Sequence, residues 1–353
     1  MPLLDLQTLH DIVSGNANGI RAAAIRGLLG CLTPVYRLGL WWQNRKYPQA
    51  SRSVDAPVIS VGNLTTGGTG KTPMVVWLCR HLRDQNLRVA IVSRGYKSNE
   101  SGVNDEALEL ETRLPDVPHL QDPDRVKIAT IAIEELESQL IVLDDGFQHR
   151  RLKRDLDIVL IDATCPFGYG RMLPRGLLRE PVSALRRCDA VVITRADQVE
   201  PETVEAIRKR VSSVHDKIPI ATGRTVPTGF IQADYKLKPV STLSDEKCFV
   251  FSAIGNPAAF EKSMEQWVDV VGHQRFPDHH HFTRNELVEL AKTAKQAGAT
   301  TLVCTHKDLV KVATHRIENL PVWAMQIDFE PIHGKNELIE LVNATIDDPN
   351  RDF

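Results

Sequence analysis

The sequence lacks the features that mark several large classes of protein. Its 353 residues carry a formal net charge of −2, so no global basic field points to a nucleic-acid partner. No two of its cysteines are spaced as Cys-x-x-Cys, which argues against a disulfide scaffold and against a zinc site. The six are Cys31, Cys79, Cys165, Cys188, Cys248 and Cys304. We therefore expect a zinc-free chain in a reducing, cytoplasmic compartment.

Long hydrophobic runs are also missing. The uncharged runs near the N-terminus are about ten residues long, whereas a helix that spans a bilayer needs about 20. Residues 1–11 contain acids and no apolar core of signal-peptide length, so nothing in them suggests export. Internal repeats and low-complexity tracts are absent as well.

Acidic residues are absent from residues 12–54, which contain six basic ones. The apolar spacing of residues 20–32 predicts a helix, and an apolar run that includes Trp41 and Trp42 follows it. Tryptophan together with basic residues is typical of a segment that contacts anionic lipid headgroups. We therefore predict that residues 1–56 form a helical, membrane-associating segment. A helix pair packed on the body of the protein is the alternative, and the two are compatible.

An apolar strand that begins at Val58 runs into a glycine-rich loop ending in Gly-Lys-Thr. In such a loop, backbone N–H groups surround a triphosphate, the lysine reaches the terminal phosphates and the threonine hydroxyl holds Mg²⁺. Thr65 replaces the first glycine of the general pattern. A plain turn is the alternative, but a turn has no need of the Lys-Thr that follows. We predict an ATP-binding site formed by Thr66, Gly67, Gly68, Thr69, Gly70, Lys71 and Thr72, with Thr72 also a metal ligand.

Strands rich in valine, isoleucine and leucine recur along the chain. They lie at residues 88–93, 139–144, 157–162 and 190–194. Near-continuous apolar strands are typical of a parallel sheet that is buried on both faces. The predicted fold class is α/β, a P-loop NTPase-like, doubly wound, mostly parallel sheet over residues 57–222. We predict a linker at 223–246 and a second, smaller α/β domain at 247–353, in which a capping box at Thr283 and Glu286 opens a helix.

Two acids end one of these strands. Asp144 and Asp145 stand where a phosphate-loop protein holds Mg²⁺, opposite the threonine hydroxyl of the loop. An Asp-Gly turn after a buried strand is the alternative. A basic cluster follows at residues 147–154. Its closeness to the two acids favours contact of Gln148 and His149 with an anionic substrate over a merely solvated face.

A second basic loop lies at residues 168–181, after the strand that ends at Asp162. Its glycines and prolines indicate an ordered, irregular loop near the active site. Its arginines and leucines suit a ligand with phosphate and acyl parts, although packing beneath a loop explains the leucines equally well. We assign Arg179 and Glu180 to substrate binding.

Six motifs together resemble the tetraacyldisaccharide 4'-kinase family, which acts in lipid A synthesis. They are VGNLTTGGTGKTP at 61–73, SRGY at 93–96, NDE at 104–106, LDDGFQH at 143–149, LPRGLLREP at 173–181 and FPDHH at 276–280. The LDDGFQH run is far more specific than a phosphate loop alone. Thr65 fits the family, whose loop is itself atypical. Asn-Asp-Glu-Ala at 104–107 departs from the Gly-Asp-Glu-Pro that is usual there.

The resemblance implies transfer of the γ-phosphate of ATP, with Mg²⁺, to the 4'-hydroxyl of a tetraacylated glucosamine disaccharide 1-phosphate. It implies a site at the cytoplasmic face of the inner membrane, where we expect a peripheral or N-terminally anchored monomer on anionic lipid. Asp105 matches the family's catalytic aspartate, which takes the hydroxyl proton, and His279 matches its partner histidine. Without the resemblance, Asp105 beside Glu106 would be a surface acid pair. If Asp105 and His279 belong to different domains, domain closure would assemble the pair, with Lys71 as the third catalytic residue.

Weaker signals leave alternatives open. Residues 194–197 and 305–308 follow strands and resemble the base-reading turns of nucleotide-binding folds, although a charge pair at a helix start explains the second equally well. A GTP-hydrolysing switch or metallochaperone would share the phosphate loop and the acidic strand end. Such a protein needs neither the catalytic pair nor a basic, apolar N-terminus. In a soluble small-molecule kinase, Trp41 and Trp42 would be core residues.

Overall fold

The computed structural model describes residues 6–46, 51–95, 105–255, 257–278 and 280–347. The described helices are α1 (Leu6–Ser14), α2 (Ile20–Lys46), α3 (Lys71–Asp84), α4 (Asp105–Arg113), α5 (Arg125–Glu134), α6 (Pro201–Ser212), α7 (Pro257–Met264), α8 (Arg284–Gln296), α9 (His306–Val312) and α10 (Lys335–Ile346). The described strands are β1 (Val58–Asn63), β2 (Val89–Ser93), β3 (His119–Gln121), β4 (Leu140–Asp144), β5 (Leu156–Asp162), β6 (Ala190–Thr194), β7 (Ile220–Ile231), β8 (Lys247–Ser252), β9 (Asp269–Arg275), β10 (Thr301–Thr305), β11 (Arg316–Ile317) and β12 (Leu320–His333).

These residues divide into two compact units. The first contains the described parts of Met1–Gly95, Asp116–Arg224 and Phe329–Phe353, and the second those of Tyr96–Pro115 and Thr225–Asp328. The chain enters the second unit a first time for the described part of Tyr96–Pro115, and a second time within β7, from which it returns within β12. The boundaries therefore differ from the predicted ones, because α10 and the end of β12 belong to the first unit.

A parallel sheet forms the centre of the first unit, with the strand order β3-β2-β4-β1-β5-β6-β7. Strands β1, β2, β4, β5 and β6 are buried along their whole length. Strands of this kind are stable where helices cover both faces of the sheet. The predicted α/β fold with a mostly parallel sheet is confirmed.

The register of this sheet brings the polar strand ends together. Strand β1 lies between β4 and β5, and Val61 pairs with Asp144. Strand β5 pairs with β6, where Asp162 lies opposite Thr194. Because all these strands are parallel, their ends, including Asn63 of β1, lie at one edge of the sheet, where ligands bind in such folds.

The strands of the second unit are mostly parallel as well. Strands β12, β10, β8 and β9 follow one another in that order, and β11 pairs antiparallel with β12. The predicted capping box at the start of α8 is confirmed. Thr283 Oγ1 accepts a hydrogen bond from the Glu286 N–H at 3.3 Å, and Glu286 Oε2 accepts one from the Thr283 N–H at 2.8 Å.

Helix α4, which begins at Asp105, belongs to the second unit, whereas the sequence analysis places it in the first domain. It packs on α9, and Lys307 Nζ lies 2.6 Å from Glu106 Oε1. Contacts between residues so distant in the chain leave no trace in the sequence pattern. Residues on both sides of His279 also lie in this unit. Domain closure is expected only if Asp105 and His279 belong to different domains, and the two units give no such separation.

The predicted linker at residues 223–246 contains most of β7, from Gly223 to Ile231. Phe230 and Ile231 are fully buried in that strand. The apolar pattern is weak here because glycines occupy positions where the backbone is crowded. A Cβ at Gly223 would lie 2.2 Å from the ring of Phe329, so no side chain fits there.

Helix α2 runs without interruption from Ile20 to Lys46 and contains Pro34, whereas the sequence analysis ends the helix near residue 32. An internal proline removes one backbone donor and weakens a helix. Contacts beyond the proline compensate for this loss. Tyr36 Oη donates a hydrogen bond to the Arg179 carbonyl at 3.1 Å, and Leu40 packs against the core of the first unit.

Several large apolar side chains of α2 face solvent. Leu28, Val35, Leu38, Trp41 and Trp42 are each more than half exposed. The guanidinium of Arg45 lies 4.9 Å from the centre of the Trp41 ring. None of the described helices is both long and apolar enough to span a bilayer.

Candidate active site

The predicted phosphate loop connects β1 to α3. Gly67 has φ 107° and Gly70 has φ 82°, a left-handed backbone that favours glycine, and Lys71 is the first residue of α3. Thr65 forms an antiparallel bridge with Leu178, and the Thr66 N–H donates to the Leu177 carbonyl at 2.8 Å. Thr65, which stands where the general phosphate-loop pattern has glycine, is thus in a strand-like position that threonine occupies without strain.

Strand β6 supports the other side of this loop. Thr194 Oγ1 donates to the Thr69 carbonyl at 2.9 Å, and Arg195 Nη1 donates to the Gly68 carbonyl at 2.9 Å. Arg195 also forms an ion pair with Asp162 at the end of β5. In sequence, residues 194–197 resemble a base-reading turn. In the structure, Thr194 and Arg195 fix the backbone of the phosphate loop.

Asp145 is the centre of the charged groups at this edge. Lys71 Nζ lies 3.6 Å from Asp145 Oδ1, and Arg179 Nη1 donates to Asp145 Oδ2 and Oδ1 at 2.9 and 3.1 Å. Burial raises the pKa of Asp145, but Lys71 and Arg179 outweigh it and hold the pKa at about 2. Asp145 is therefore ionised at neutral pH, as a cation ligand must be.

The predicted metal ligands are oxygen donors suited to Mg²⁺. Asp144 is buried at the end of β4, and Thr72 is half-buried in the first turn of α3. No three His, Cys, Asp or Glu side chains gather into a metal-binding group in the described part of the chain. A hydroxyl and one or two carboxylates fit Mg²⁺, which keeps several waters and binds substrate phosphates.

The segment after Asp145 is held by polar contacts. Gln148 Nε2 donates to the Asn63 carbonyl at 2.9 Å, and Arg179 Nη1 donates to Gln148 Oε1 at 3.3 Å. Arg154 Nη2 donates to the His149 carbonyl at 2.7 Å. The structure thus brings Gln148 and Arg179, two predicted substrate residues, to Asp145.

Glu180, also predicted to bind substrate, has a different environment. Its side chain is 4% exposed, and Arg187 donates to both of its carboxylate oxygens, at 2.7 and 2.8 Å. With both oxygens occupied inside the protein, Glu180 is placed to hold Arg187, not to contact a ligand. The sequence pattern gives no sign of this pair, because it depends on the short 3-10 helix Val182–Arg187.

Arg125 is a residue that the sequence analysis missed. It begins α5 and is 4% exposed. Burial lowers its pKa, while the charges of Asp145 and Asp144 oppose that shift. A buried guanidinium near two carboxylates is a candidate ligand for a phosphate. The sequence feature that could have indicated Arg125 is Asp124, which caps the start of a helix just after a strand of the sheet.

The proposed catalytic pair is only partly described. Asp105 is the first residue of α4, and His279 lies outside the described residues. The neighbouring His280 is engaged elsewhere, with Nε2 3.0 Å from Glu286 Oε1. The roles of Asp105 and His279 therefore continue to rest on the resemblance.

The turn at residues 305–308 has a structural role. Asp308 is fully buried and accepts hydrogen bonds from Thr305 Oγ1 at 2.7 Å and from the Ala253 N–H at 3.1 Å. Thr305 in turn caps the first turn of α9. The geometry favours the helix-start alternative over base reading.

The fold and this site define a nucleotide-binding protein of the P-loop NTPase type. A family profile described as "Tetraacyldisaccharide-1-P 4'-kinase" matches residues 25–347. The chain belongs to this family.

Individual relatives agree with this assignment. The chain is 36% identical to a tetraacyldisaccharide 4'-kinase of Anaeromyxobacter sp. strain Fw109-5, with 84% of each chain covered. It is 34% identical to that of Geobacter sulfurreducens, covering 91% of this chain and 94% of the relative. A crystal structure of LpxK from Aquifex aeolicus in complex with ATP superposes with a TM-score of 0.73 at 29% identity, covering 91% of this chain and 99% of the other.

The half-buried His149 and the buried Asp157 have pKa values that are shifted in opposite directions. Burial, with Arg125 and Arg154, lowers the pKa of His149 to about 4. Unfolded histidine titrates near 6.5, so the folded state binds fewer protons between these values and loses stability as pH falls. Burial raises the pKa of Asp157 to about 6, which gives the opposite trend between 3.8 and 6. The two trends partly cancel in the wild type.

We expect His149→Asn to remove the loss of stability that His149 causes as pH falls, and to leave the opposite effect of Asp157. Relative to this variant, the wild-type free energy of unfolding should fall by about 1 to 2 kcal/mol between pH 8 and pH 5. Urea unfolding at a series of pH values measures this difference. His333→Asn, which replaces an exposed histidine, is the control. A pH dependence in His149→Asn equal to that of the wild type would contradict the assigned shift.

Proposed function

We propose that this chain transfers the γ-phosphate of ATP to the 4'-hydroxyl of a tetraacylated glucosamine disaccharide 1-phosphate. The observation that carries the proposal is the family match over residues 25–347, which includes the phosphate loop and its contact between Lys71 and Asp145. A relative in the same family, LpxK from Aquifex aeolicus, has been crystallised with ATP. The acceptor follows from the activity for which the family and its members are named.

In this proposal, the loop from Thr66 to Thr72 binds the phosphates through backbone N–H groups, and Lys71 neutralises charge on the transferred group. Thr72, Asp144 and Asp145 would hold Mg²⁺. When bound, the ion supplies charge neutralisation on the phosphate oxygens. Asp145 is ready for this role because its pKa of about 2 keeps it charged, and its present cationic partners are groups that also bind phosphate.

The acceptor hydroxyl must lose a proton as it attacks. We assign that proton to Asp105, with His279 as the partner that tunes it, on the basis of the family motifs. Gln148, His149 and Arg179 are assigned to the anionic acceptor. Arg179 is suited to this because its guanidinium is half-buried beside Asp145 and presents a planar set of donors that matches a phosphate.

We further assign the enzyme to the cytoplasmic face of the inner membrane as a peripheral protein. Exposed apolar side chains on α2, with Trp41 and Trp42 among them, occur in a segment without acidic residues. Burial of such side chains among lipid tails, with arginines at the headgroups, is the usual mode of interfacial helices. The same location gives access to an acceptor whose acyl chains are in the bilayer.

The activity is tested with labelled ATP and acyl-disaccharide 1-phosphate in detergent. Wild type should label the lipid, and Lys71→Ala should lower the rate at least about 100-fold, because a charge that stabilises the transferred phosphate is lost. Lys209→Ala, which removes an exposed lysine of α6, should keep the wild-type rate. Labelling by wild type no greater than by Lys71→Ala would refute the kinase assignment.

Asp105→Ala tests the proton acceptor. We expect kcat to fall by about 10² to 10⁴ while ATP affinity changes less than about threefold, since the group acts on the acceptor hydroxyl. Glu111→Ala, an exposed acid on the same helix, is the matched control. A large loss of ATP affinity in Asp105→Ala, measured by fluorescent-nucleotide titration, would instead assign Asp105 to the nucleotide or its metal.

The membrane assignment is tested by co-sedimentation with vesicles of anionic or neutral phospholipid. We expect anionic vesicles to bind the protein more strongly, with a salt-sensitive component. Trp41→Ser with Leu38→Ser should weaken binding at least about tenfold, because two large apolar side chains no longer leave water. Trp267→Ser removes a comparably exposed tryptophan of the second unit and should have no effect. Equal binding of the double variant and wild type would count against α2 as the contact.

A further inference from the structure

Arg187 joins two segments of the candidate active site. It ends the 3-10 helix Val182–Arg187. Its Nη1 donates to Glu180 Oε2 at 2.8 Å, and its Nη2 donates to Glu180 Oε1 at 2.7 Å and to the Phe147 carbonyl at 3.0 Å. The guanidinium carbon also lies 3.7 Å from the centre of the Phe147 ring. One side chain therefore holds both the backbone and the ring of Phe147.

Phe147 has little freedom to move independently. Its side chain is fully buried. It passes so close to the end of β1 that a Cβ at Gly62 would lie 2.6 Å from Phe147 Cβ. Asp145 and Gln148 lie on either side of Phe147 in the chain, so its position fixes where these two side chains project.

The second partner of Arg187 is Glu180, which directly follows Arg179 in the chain. Arg179 donates to both Asp145 and Gln148, and its own N–H donates to the Leu64 carbonyl at 2.7 Å. The guanidinium of Arg187 thus connects the two segments whose side chains meet at Asp145.

We propose that Arg187 is a positioning residue for phosphoryl transfer, which aligns Asp145 with Arg179 by clamping Phe147 to Glu180. The inference rests on the proposed function. Both Nη atoms are occupied by protein acceptors, so the residue acts through its neighbours and not on a substrate. Lysine can replace it only in part, because the contact needs a planar guanidinium that binds a carboxylate with two donors and stacks on a ring.

The experiment compares Arg187→Met, Arg187→Lys and the double variant Glu180→Gln with Arg187→Met. The double variant removes both charges, so no uncompensated buried charge remains to prevent folding. Arg186→Met, an exposed neighbouring arginine, is the control. Two readouts are taken: kcat and KM for ATP and lipid acceptor with Mg²⁺, and backbone hydrogen exchange over residues 144–152 without substrate.

We expect Arg187→Met and the double variant to lower kcat by about 100-fold, the typical effect of a small misplacement of catalytic groups. Arg187→Lys should lose about tenfold, and the KM for the lipid should stay within about threefold in all. Hydrogen exchange should rise over residues 144–152 in each Arg187 variant and not over the rest of β4 or over β5. Arg186→Met should match wild type in every measurement.

Three results would overturn the proposal. Wild-type kcat in a folded Arg187→Met protein would show that the clamp is unnecessary. A raised KM for the lipid with unchanged kcat would make Arg187 a substrate ligand. Faster exchange throughout the first unit in all variants would make its role purely structural. If wild type itself fails to phosphorylate the lipid, the proposed function fails, and local exchange over residues 144–152 still decides whether Arg187 positions Asp145.

Discussion

The meeting of two cations at Asp145 is the interaction on which the candidate site depends. Lys71 comes from the phosphate loop, and Arg179 comes from the loop after β5. Without a shared anion these two positive groups would repel one another. Asp145 itself has φ 50°, a left-handed conformation that aspartate tolerates better than most residues. Gly146 must follow, because a Cβ there would lie 2.4 Å from Ser60 Oγ.

The same arrangement connects the N-terminal helices to the site. Tyr36 of α2 donates to the carbonyl of Arg179, and Arg175 Nη1 donates to the Val13 carbonyl at 3.2 Å. The loop that supplies a cation to Asp145 is therefore also the loop on which α1 and α2 rest. In a kinase with a membrane-bound acceptor, this would place the lipid-contacting helix and the acceptor loop on one continuous support.

Much of the fold was predictable from the sequence, because a strand buried on both faces must be apolar throughout. This criterion found β1, β4, β5 and β6. It failed for β7, where crowding selects glycine and leaves no alternating pattern.

The candidate site was likewise predictable only in part. Motifs with local chemistry, such as the phosphate loop and the acids that end β4, are visible in the chain. The burial of Glu180 by Arg187, and the place of α4 in the second unit, depend on contacts that only the folded chain creates.

The charges around residues 146–149 are partly balanced within the fold. Arg154 donates to the carbonyls of Gly146 and His149 and lies 3.5 Å from Asp157. With a pKa of about 6, Asp157 is mostly ionised at neutral pH and offsets the charge of Arg154, while His149 adds none until the pH approaches 4. Protonated His149 would add a positive charge near Arg125, Arg154 and Arg151, which the nearby Asp124 opposes only in part. At neutral pH, therefore, His149 adds no charge to this segment while Asp145 is ionised.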